Sequence, residues 1–184
     1  GTNGLLLDKH ADAVNRSCIT NLTVSLDGIG DTNDRLRGIK GYFKKILRNL
    51  ELVKGKRIKI ASVATKYLAN EIEDLIRLCR ERGYDYDVCL PNRSLPFSST
   101  DAELDALWPS PQDGDRIFET KRREGMVSAD IGKGARRFLR ENKYPETTCM
   151  LGYVHALIRA NGDVYIGCHD VAPVGNIVDT SLAQ

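Results

Sequence analysis

Residues Asn21 to Gly38 read NLTVSLDGIGDTNDRLRG, and the fold turns on how this stretch is read. The preceding Ile19 and Thr20 extend a run rich in β-branched residues that closes at Gly28, which predicts a buried strand over roughly 20–26. In a strand, side chains two apart share a face, so Ser25 and Asp27 point the same way from its carboxyl end. Ligands of parallel sheets gather at that end, and a carboxylate acceptor beside a hydroxyl suits the vicinal hydroxyls of a ribose. Gly28 leaves the backbone room to approach a ligand. Taken alone, S-x-D-G is more commonly a cap on the following turn. The adjoining GIGD lacks the full glycine spacing of a phosphate loop and is not expected to lead directly into a helix. Arg37 and Gly38 stand at the mouth of the next helix, where a guanidinium could pair a carboxylate in a bidentate manner. By itself this arginine reads as a surface residue.

Outward from that stretch, strand and helix patterns alternate. Ile39, Tyr42, Phe43, Ile46, Leu47, Leu50 and Val53 recur at spacings of three and four, which is one apolar helix face. Lys56 to Ala64 is the next strand. NEIEDLIRLCRERG is a helix in which Asn70 and Glu73 have the spacing of a cap and its reciprocal partner, with Gly83 as the stop. YDYDVCLP supplies another strand, closed by Pro91. Strands and helices alternating over short links imply parallel pairing through right-handed crossovers, an α/β arrangement. The initial TNGLLL fits the end of an earlier strand. From residue 92 to 148 prolines, glycines and about three short helical pieces replace the strand signal, which reads as a helical linker or insertion. YVHALIRANGDVYIGC then reads as an antiparallel hairpin turning on Asn161-Gly162, the dipeptide suited to a two-residue type I′ turn. That turn would set His155 opposite Cys168, Leu157 opposite Ile166 and Arg159 opposite Val164. The expected divisions are 1–91, 92–148 and 149–184.

The 184 residues suffice for one ordinary domain, with or without a small appendage. Apolar residues at 41% and charged residues at 28% suggest neither a disordered chain nor a membrane protein. No apolar run approaches the ~20 residues of a membrane span and no signal peptide is evident, so the default compartment is the cytoplasm. A net charge of +2 with both signs interspersed makes no electrostatic case for a nucleic-acid partner. The run Lys121, Arg122, Arg123 reads as a solvated helix face. Five cysteines at irregular spacings argue against a disulfide framework. Cys18, Cys79 and Cys89 read as buried thiols, whereas Cys149 and Cys168 could converge near the open end of the hairpin with His155 or His169 beside them. On spacing alone they form an incomplete metal site, and a small zinc-binding interaction module is one reading of it. The chain opens on an apolar segment already under way and stops at NIVDTSLAQ, so both ends read as cut.

Together, TNGLLL, the SLDG strand with its D-x-x-R-G ending (Asp34, Arg37, Gly38) and the terminal C...NGDVYIGC...PVGNI resemble the radical S-adenosylmethionine (radical SAM) enzymes. The closest likeness is to the subgroup with a SPASM or twitch extension for auxiliary iron-sulfur clusters. The resemblance implies a partial (β/α)6 barrel of parallel strands, of which this chain holds the last three and the tip of the third. It assigns Ser25 and Asp27 to the ribose of S-adenosylmethionine, Arg37 to its methionyl carboxylate, and Asn3 and Gly4 to the end of the third strand in the cofactor site. Cys149 and Cys168 match the cysteines that open the auxiliary-cluster region. The implied chemistry is reductive cleavage of S-adenosylmethionine by a [4Fe-4S] cluster to a 5′-deoxyadenosyl radical. That radical takes a hydrogen atom from a peptide or small biosynthetic substrate, with a flavodoxin or ferredoxin as reductant. The sequence departs from the family where it matters most. The C-x3-C-x2-C loop that ligates the main cluster is absent, and Gly162 to Cys168 is one residue longer than usual, with Gly167 where a cysteine is common. The expectation is therefore an internal piece of a longer enzyme, inactive alone. A degenerate, non-catalytic relative is the alternative.

Overall fold

The computed structural model describes residues 1–91, 101–126, 129–141, 156–159, 161–166 and 172–179. The chain divides into two compact units, Gly1–Pro91 with Thr100–Tyr144, and Asn92–Ser99 with Pro145–Gln184.

The first unit starts with a single parallel bridge between Thr2 and Val24. The Thr2 N–H donates to the Thr23 carbonyl at 2.9 Å and the Ser25 N–H to the Thr2 carbonyl at 3.2 Å, so TNG is the last step of a strand, as expected. Helix α1 (Leu7–Arg16) follows, which the apolar pattern did not predict because only Leu7 and Ala11 of its ten residues are buried. Strands β1 (Asn21–Ser25), β2 (Arg57–Val63) and β3 (Asp85–Cys89) lie parallel in that order, with Val24 opposite Ile60 and Ile60 opposite Tyr86. Leu22, Val24, Leu26, Ile58 and Ile60 turn to one face and are buried there. They pack with Tyr42, Ile46 and Leu50 of helix α3 (Tyr42–Glu51). Each fully buried Val, Leu or Ile contributes roughly 1.5–3 kcal/mol. Thr23, Ser25, Lys59 and Ala61 occupy the opposite strand positions, less buried than their neighbours or exposed.

The helix expected from Ile39 starts three residues later, at Tyr42. Helix α2 (Asp31–Arg37) precedes α3, and Gly38 and Gly41, at φ 68° and 77°, turn the chain between them. Asp34 fixes the start of α3 by accepting from the Gly41 N–H at 2.5 Å and the Phe43 N–H at 2.7 Å. GIGD does lead straight into a helix, contrary to expectation, but one of seven residues.

Helix α4 (Leu68–Glu81) begins two residues before the expected cap. Thr65 Oγ1 accepts from the Leu68 N–H at 3.3 Å, while Asn70 accepts from Arg116 and Glu73 pairs with Arg123. Gly83, at φ 68°, ends the helix as expected. Helices α5 (Asp101–Leu107), α6 (Pro111–Arg123) and α7 (Ala129–Glu141) occupy much of the stretch read as linker. A capping box starts α6, with Ser110 Oγ accepting from the Asp113 N–H at 3.1 Å and Asp113 accepting from the Ser110 N–H at 2.9 Å. Ile117, Phe118, Phe138 and Leu139 join Leu68, Ile72, Leu75 and Ile76 in a second core, so α6 and α7 are packed partners of α4. The basic run on α6 divides: Arg122 and Arg123 are exposed, but Lys121 is buried and pairs with Asp87 at 3.0 Å.

The second unit holds β4 (Ala156–Ile158), β5 (Asp163–Ile166) and β6 (Gly175–Asn176), antiparallel in that order. The hairpin is present but its register differs by one from the expected one: Leu157 faces Tyr165, and Ala156 faces Ile166. The Arg159 N–H donates to the Asp163 carbonyl and the Gly162 N–H to the Arg159 carbonyl, both at 2.9 Å, which makes a three-residue loop with Gly162 at φ 89°. The Asn176 side chain favours this form by donating to the Asn161 carbonyl at 3.1 Å and to Asp163 Oδ1 at 3.0 Å. A one-residue slip exchanges the two faces of a strand, so the premise that set His155 opposite Cys168 fails. Both residues, with Cys149 and His169, lie outside the described residues.

Candidate functional site

The carboxyl end of β1 brings the predicted residues together. Asp27 is 8% exposed and lies at the centre. Its Oδ1 accepts from the Val63 N–H at 2.9 Å, tying the end of β1 to the end of β2, and its Oδ2 pairs with Arg37 at 2.5 Å. The backbone N–H of Asp27 donates to Asn33 Oδ1 at 2.8 Å. Arg37 and Asn33 both come from α2, so that short helix is folded back over the strand it follows. Ser25 is half-buried two residues upstream, and among the described residues no hydrogen bond engages its hydroxyl.

The TNG turn joins this cluster through the backbone. Thr2 pairs with β1 beside Ser25, and Tyr42 donates from its hydroxyl to the Asn3 carbonyl at 2.6 Å. Asn49 donates to the Gly4 carbonyl at 2.9 Å. Gly4, at φ 75°, is pressed on Ile46 and Val24, where an added Cβ would lie 3.2–3.3 Å from side-chain carbons. Asn3 is exposed, with its Oδ1 accepting from the Leu5 N–H at 3.1 Å. Burial pushes the Tyr42 hydroxyl above its ordinary value, and the charges of Arg37 and Asp27 act on it in opposite senses. The five predicted positions Asn3, Gly4, Ser25, Asp27 and Arg37 thus share one end of the sheet.

The room expected beside Gly28 is occupied. A Cβ there would lie 2.8 Å from both Glu71 Oε2 and Thr32 Cγ2. Glu71, from the first turn of α4, accepts from the Ile29 N–H at 2.7 Å and from Thr32 Oγ1 at 2.6 Å. Glycine at position 28 therefore admits a side chain of the protein itself. Sequence reading did not find Glu71, Asn33 or Tyr42 as parts of this site. Glu71 acts across 42 residues and has no local signal, whereas Asn33 lies within the D-T-N-D-R run between Asp27 and Arg37.

Two nitrogens here lack a partner among the described residues: Asn33 Nδ2, on a fully buried side chain, and Arg37 Nε. An unmade hydrogen bond of this kind costs about 1–3 kcal/mol, which the surrounding ties must offset. The cysteines behave differently from expectation. Cys79 is buried, and burial pushes its thiol up to about 12, but Cys18 and Cys89 are exposed. Among the described residues no three His, Cys, Asp or Glu side chains gather as a metal site. An open depression of about 570 Å³ lies along the amino-terminal halves of the strands, lined by Asn21, Thr23, Arg57, Lys59, Asp85 and Asp87 among others. It is at the other end of the sheet from Asp27.

No family model matches the chain. Curated relatives do. Pre-heme d1 synthase of Dinoroseobacter shibae is 31% identical over 87 residues, covering 46% of this chain and 22% of that protein. The sporulation killing factor maturation protein SkfB of Bacillus subtilis is 24% identical over 184 aligned residues, covering 96% of this chain and 43% of its own length. Among solved structures, anSMEcpe with bound AdoMet matches with a TM-score of 0.64 at 19% identity, over 99% of this chain and 52% of that one. Streptococcus suis SuiB bound to S-adenosylmethionine matches with a TM-score of 0.60 at 17% identity, over 98% of this chain and 45% of that one. The relatives and solved structures that this chain resembles are radical SAM enzymes.

Its structural neighbours are radical SAM proteins of the SPASM or twitch type, in keeping with the resemblance read from SLDG, TNG and the terminal segment. The parallel sheet with a separate antiparallel hairpin is consistent with part of a radical SAM barrel. The chain spans less than half the length of the curated relatives it matches, and about half that of the matched structures. Among the described residues no helix is long and apolar enough to cross a membrane.

Proposed function

We propose that this chain supplies the carboxyl-terminal part of a radical SAM barrel, and that the full-length protein binds S-adenosylmethionine across the strand ends described above. The observation that carries the reading is the Asp27–Arg37 pair set beside the Ser25 hydroxyl, which no hydrogen bond engages among the described residues. The chemistry of this donor set fits the cofactor. Arg37, 27% exposed at its side chain, keeps guanidinium surface for a carboxylate. Ser25 offers a hydroxyl to the ribose, and Asp27 retains acceptor capacity, since a carboxylate has about four lone-pair sites and two are used here. Asn3 and Gly4 form the neighbouring wall of the same site.

The described residues do not fit the [4Fe-4S] cluster, because no three ligating side chains gather. We assign that cluster to a C-x3-C-x2-C segment elsewhere in the full-length protein, and Cys149 and Cys168 to an auxiliary iron-sulfur cluster. When bound, the cluster and S-adenosylmethionine supply reductive cleavage to a 5′-deoxyadenosyl radical for hydrogen abstraction. This chain's own residues bind and orient: Arg37 holds the aminoacyl end, and Ser25 and Asp27 hold the sugar. A peptide substrate is favoured by two neighbours, anSMEcpe with its Cp18Cys peptide and SuiB bound to precursor peptide SuiA. A small biosynthetic substrate remains the other class, and flavodoxin or ferredoxin the reductant.

The test is anaerobic reconstitution of the full-length protein with iron and sulfide, followed by reduction with dithionite and S-adenosylmethionine. Release of 5′-deoxyadenosine supports the reading. A protein that binds zinc, takes up no iron and releases no 5′-deoxyadenosine overturns it in favour of an interaction module.

A further inference from the structure

The loop that leaves β1 is held by one side chain from α4. Glu71 Oε2 accepts from the Ile29 N–H at 2.7 Å and Oε1 from Thr32 Oγ1 at 2.6 Å. Both carboxylate oxygens are therefore spent on a loop 39 to 42 residues away. That loop is flanked by the two halves of the cofactor site. Asp27 lies immediately before it, and α2, with Asn33 and Arg37, immediately after. Gly28 is the complement of the clamp, since any larger residue would meet Glu71 Oε2 at 2.8 Å.

We infer that Glu71 is a positioning residue for the aminoacyl arm of S-adenosylmethionine. The inference rests on the function proposed above. Helix α2 is a short arm with a fixed inner end: Asn33 holds the Asp27 N–H at 2.8 Å, and Arg37 meets Asp27 Oδ2 at 2.5 Å. The amino-terminal end of the arm, at Gly30, makes no side-chain cap. The Glu71 bonds to Ile29 and Thr32 hold that end, and Thr32 is in the first turn of the arm. Without them the arm can lift at its amino-terminal end and pivot on its Asp27 ties, which turns the Arg37 guanidinium away from its set position. Charge-assisted hydrogen bonds to a carboxylate are among the stronger local ties, and losing two of them loosens the loop although Ile29 stays packed against the second core. Ser25 and Asp27 lie upstream of the hinge, and Asp27 stays tied to the Val63 N–H at 2.9 Å. Glu71 therefore acts on the carboxylate end of the ligand more than on the ribose end.

The distinction can be read with two ligands. S-adenosylhomocysteine carries the aminoacyl arm, and methylthioadenosine has the same nucleoside without it. In the full-length protein, Glu71→Ala is expected to weaken S-adenosylhomocysteine by about tenfold and to leave methylthioadenosine within about twofold, on the scale of one charge-assisted hydrogen bond. Glu71→Gln, which keeps the volume and one acceptor, shifts the ratio the same way by less and serves where the alanine variant folds poorly. In an Arg37→Ala background Glu71→Ala should have no further effect on the ratio, since the two residues act in series. Equal weakening of both ligands, no change in either, or an undiminished effect in the Arg37→Ala background overturns the inference. If the unsubstituted protein binds neither ligand, the proposed function itself has failed, a result distinct from any of these.

Discussion

The Asp27 carboxylate pairs with the Arg37 guanidinium at 2.5 Å, with side-chain exposures of 12% and 27%. The two partners are unequally wet, so removing either has unequal consequences. Arg37→Met strands a largely buried carboxylate with the Val63 N–H as its remaining described side-chain tie, whereas Asp27→Asn leaves a guanidinium able to turn to water. Breaking a fully buried pair costs about 3–5 kcal/mol, and partial exposure reduces this. Urea unfolding should show Arg37→Met less stable than Asp27→Asn by about 1–2 kcal/mol. Equal losses would mean that solvent, not Arg37, balances the Asp27 charge.

The same reasoning runs in the opposite direction at the β3 edge. Lys121 is 4% exposed at its side chain, but its partner Asp87 is 50% exposed. The lysine also lies 3.4 Å from the Val88 carbonyl and 5.8 Å from the Phe118 ring centroid. Asp87→Ala leaves an ammonium buried with weak partners, while Lys121→Met fills the space with apolar atoms and frees an aspartate to hydrate. Thermal unfolding should rank Asp87→Ala well below Lys121→Met, which should be near the unsubstituted protein. The reverse order would show that the pair is not what holds α6 to the strand edge.

Cys79 gives a pH dependence with a defined sign. Burial raises its thiol from an ordinary 9.0 to about 12, so the folded chain keeps a proton that the unfolded chain releases. Stability from this group is complete below pH 9 and is lost as pH rises from about 9 to about 12. The tyrosines Tyr42 and Tyr86 are shifted the same way by burial, so the contribution of Cys79 is the part of the alkaline loss that Cys79→Ala removes. At pH 8, iodoacetamide should modify exposed Cys18 while native Cys79 stays unreacted until the chain unfolds. Rapid native labelling of Cys79 would contradict its placement in the core.

The sheet was legible because β1, β2 and α3 carry strong apolar periods that the core uses directly, and SLDG and D-x-x-R-G both lie at its carboxyl end. What escaped reading was held by tertiary ties. Helix α1 buries only Leu7 and Ala11, too few for a stripe. The start of α4 was misplaced because Asn70 and Glu73 have cap spacing but spend their side chains on Arg116 and Arg123. The hairpin register followed Asn176, thirteen residues past Asp163, over the local preference of Asn161-Gly162. Gly28 was correctly singled out for its lack of a side chain, yet the atoms that need the space belong to Glu71 and Thr32. In the D-x-x-R-G motif, Asp34 turned out to cap α3, and only Arg37 faces Asp27.

The central claim is that the carboxyl ends of these strands hold S-adenosylmethionine. Titration calorimetry of the full-length protein with S-adenosylmethionine tests it most directly, comparing the unsubstituted protein with Arg37→Ala. The account predicts saturable binding that the substitution weakens by about tenfold or more, as expected for loss of a guanidinium–carboxylate contact. No heat of binding in the unsubstituted protein, or equal affinity in the two, would contradict it.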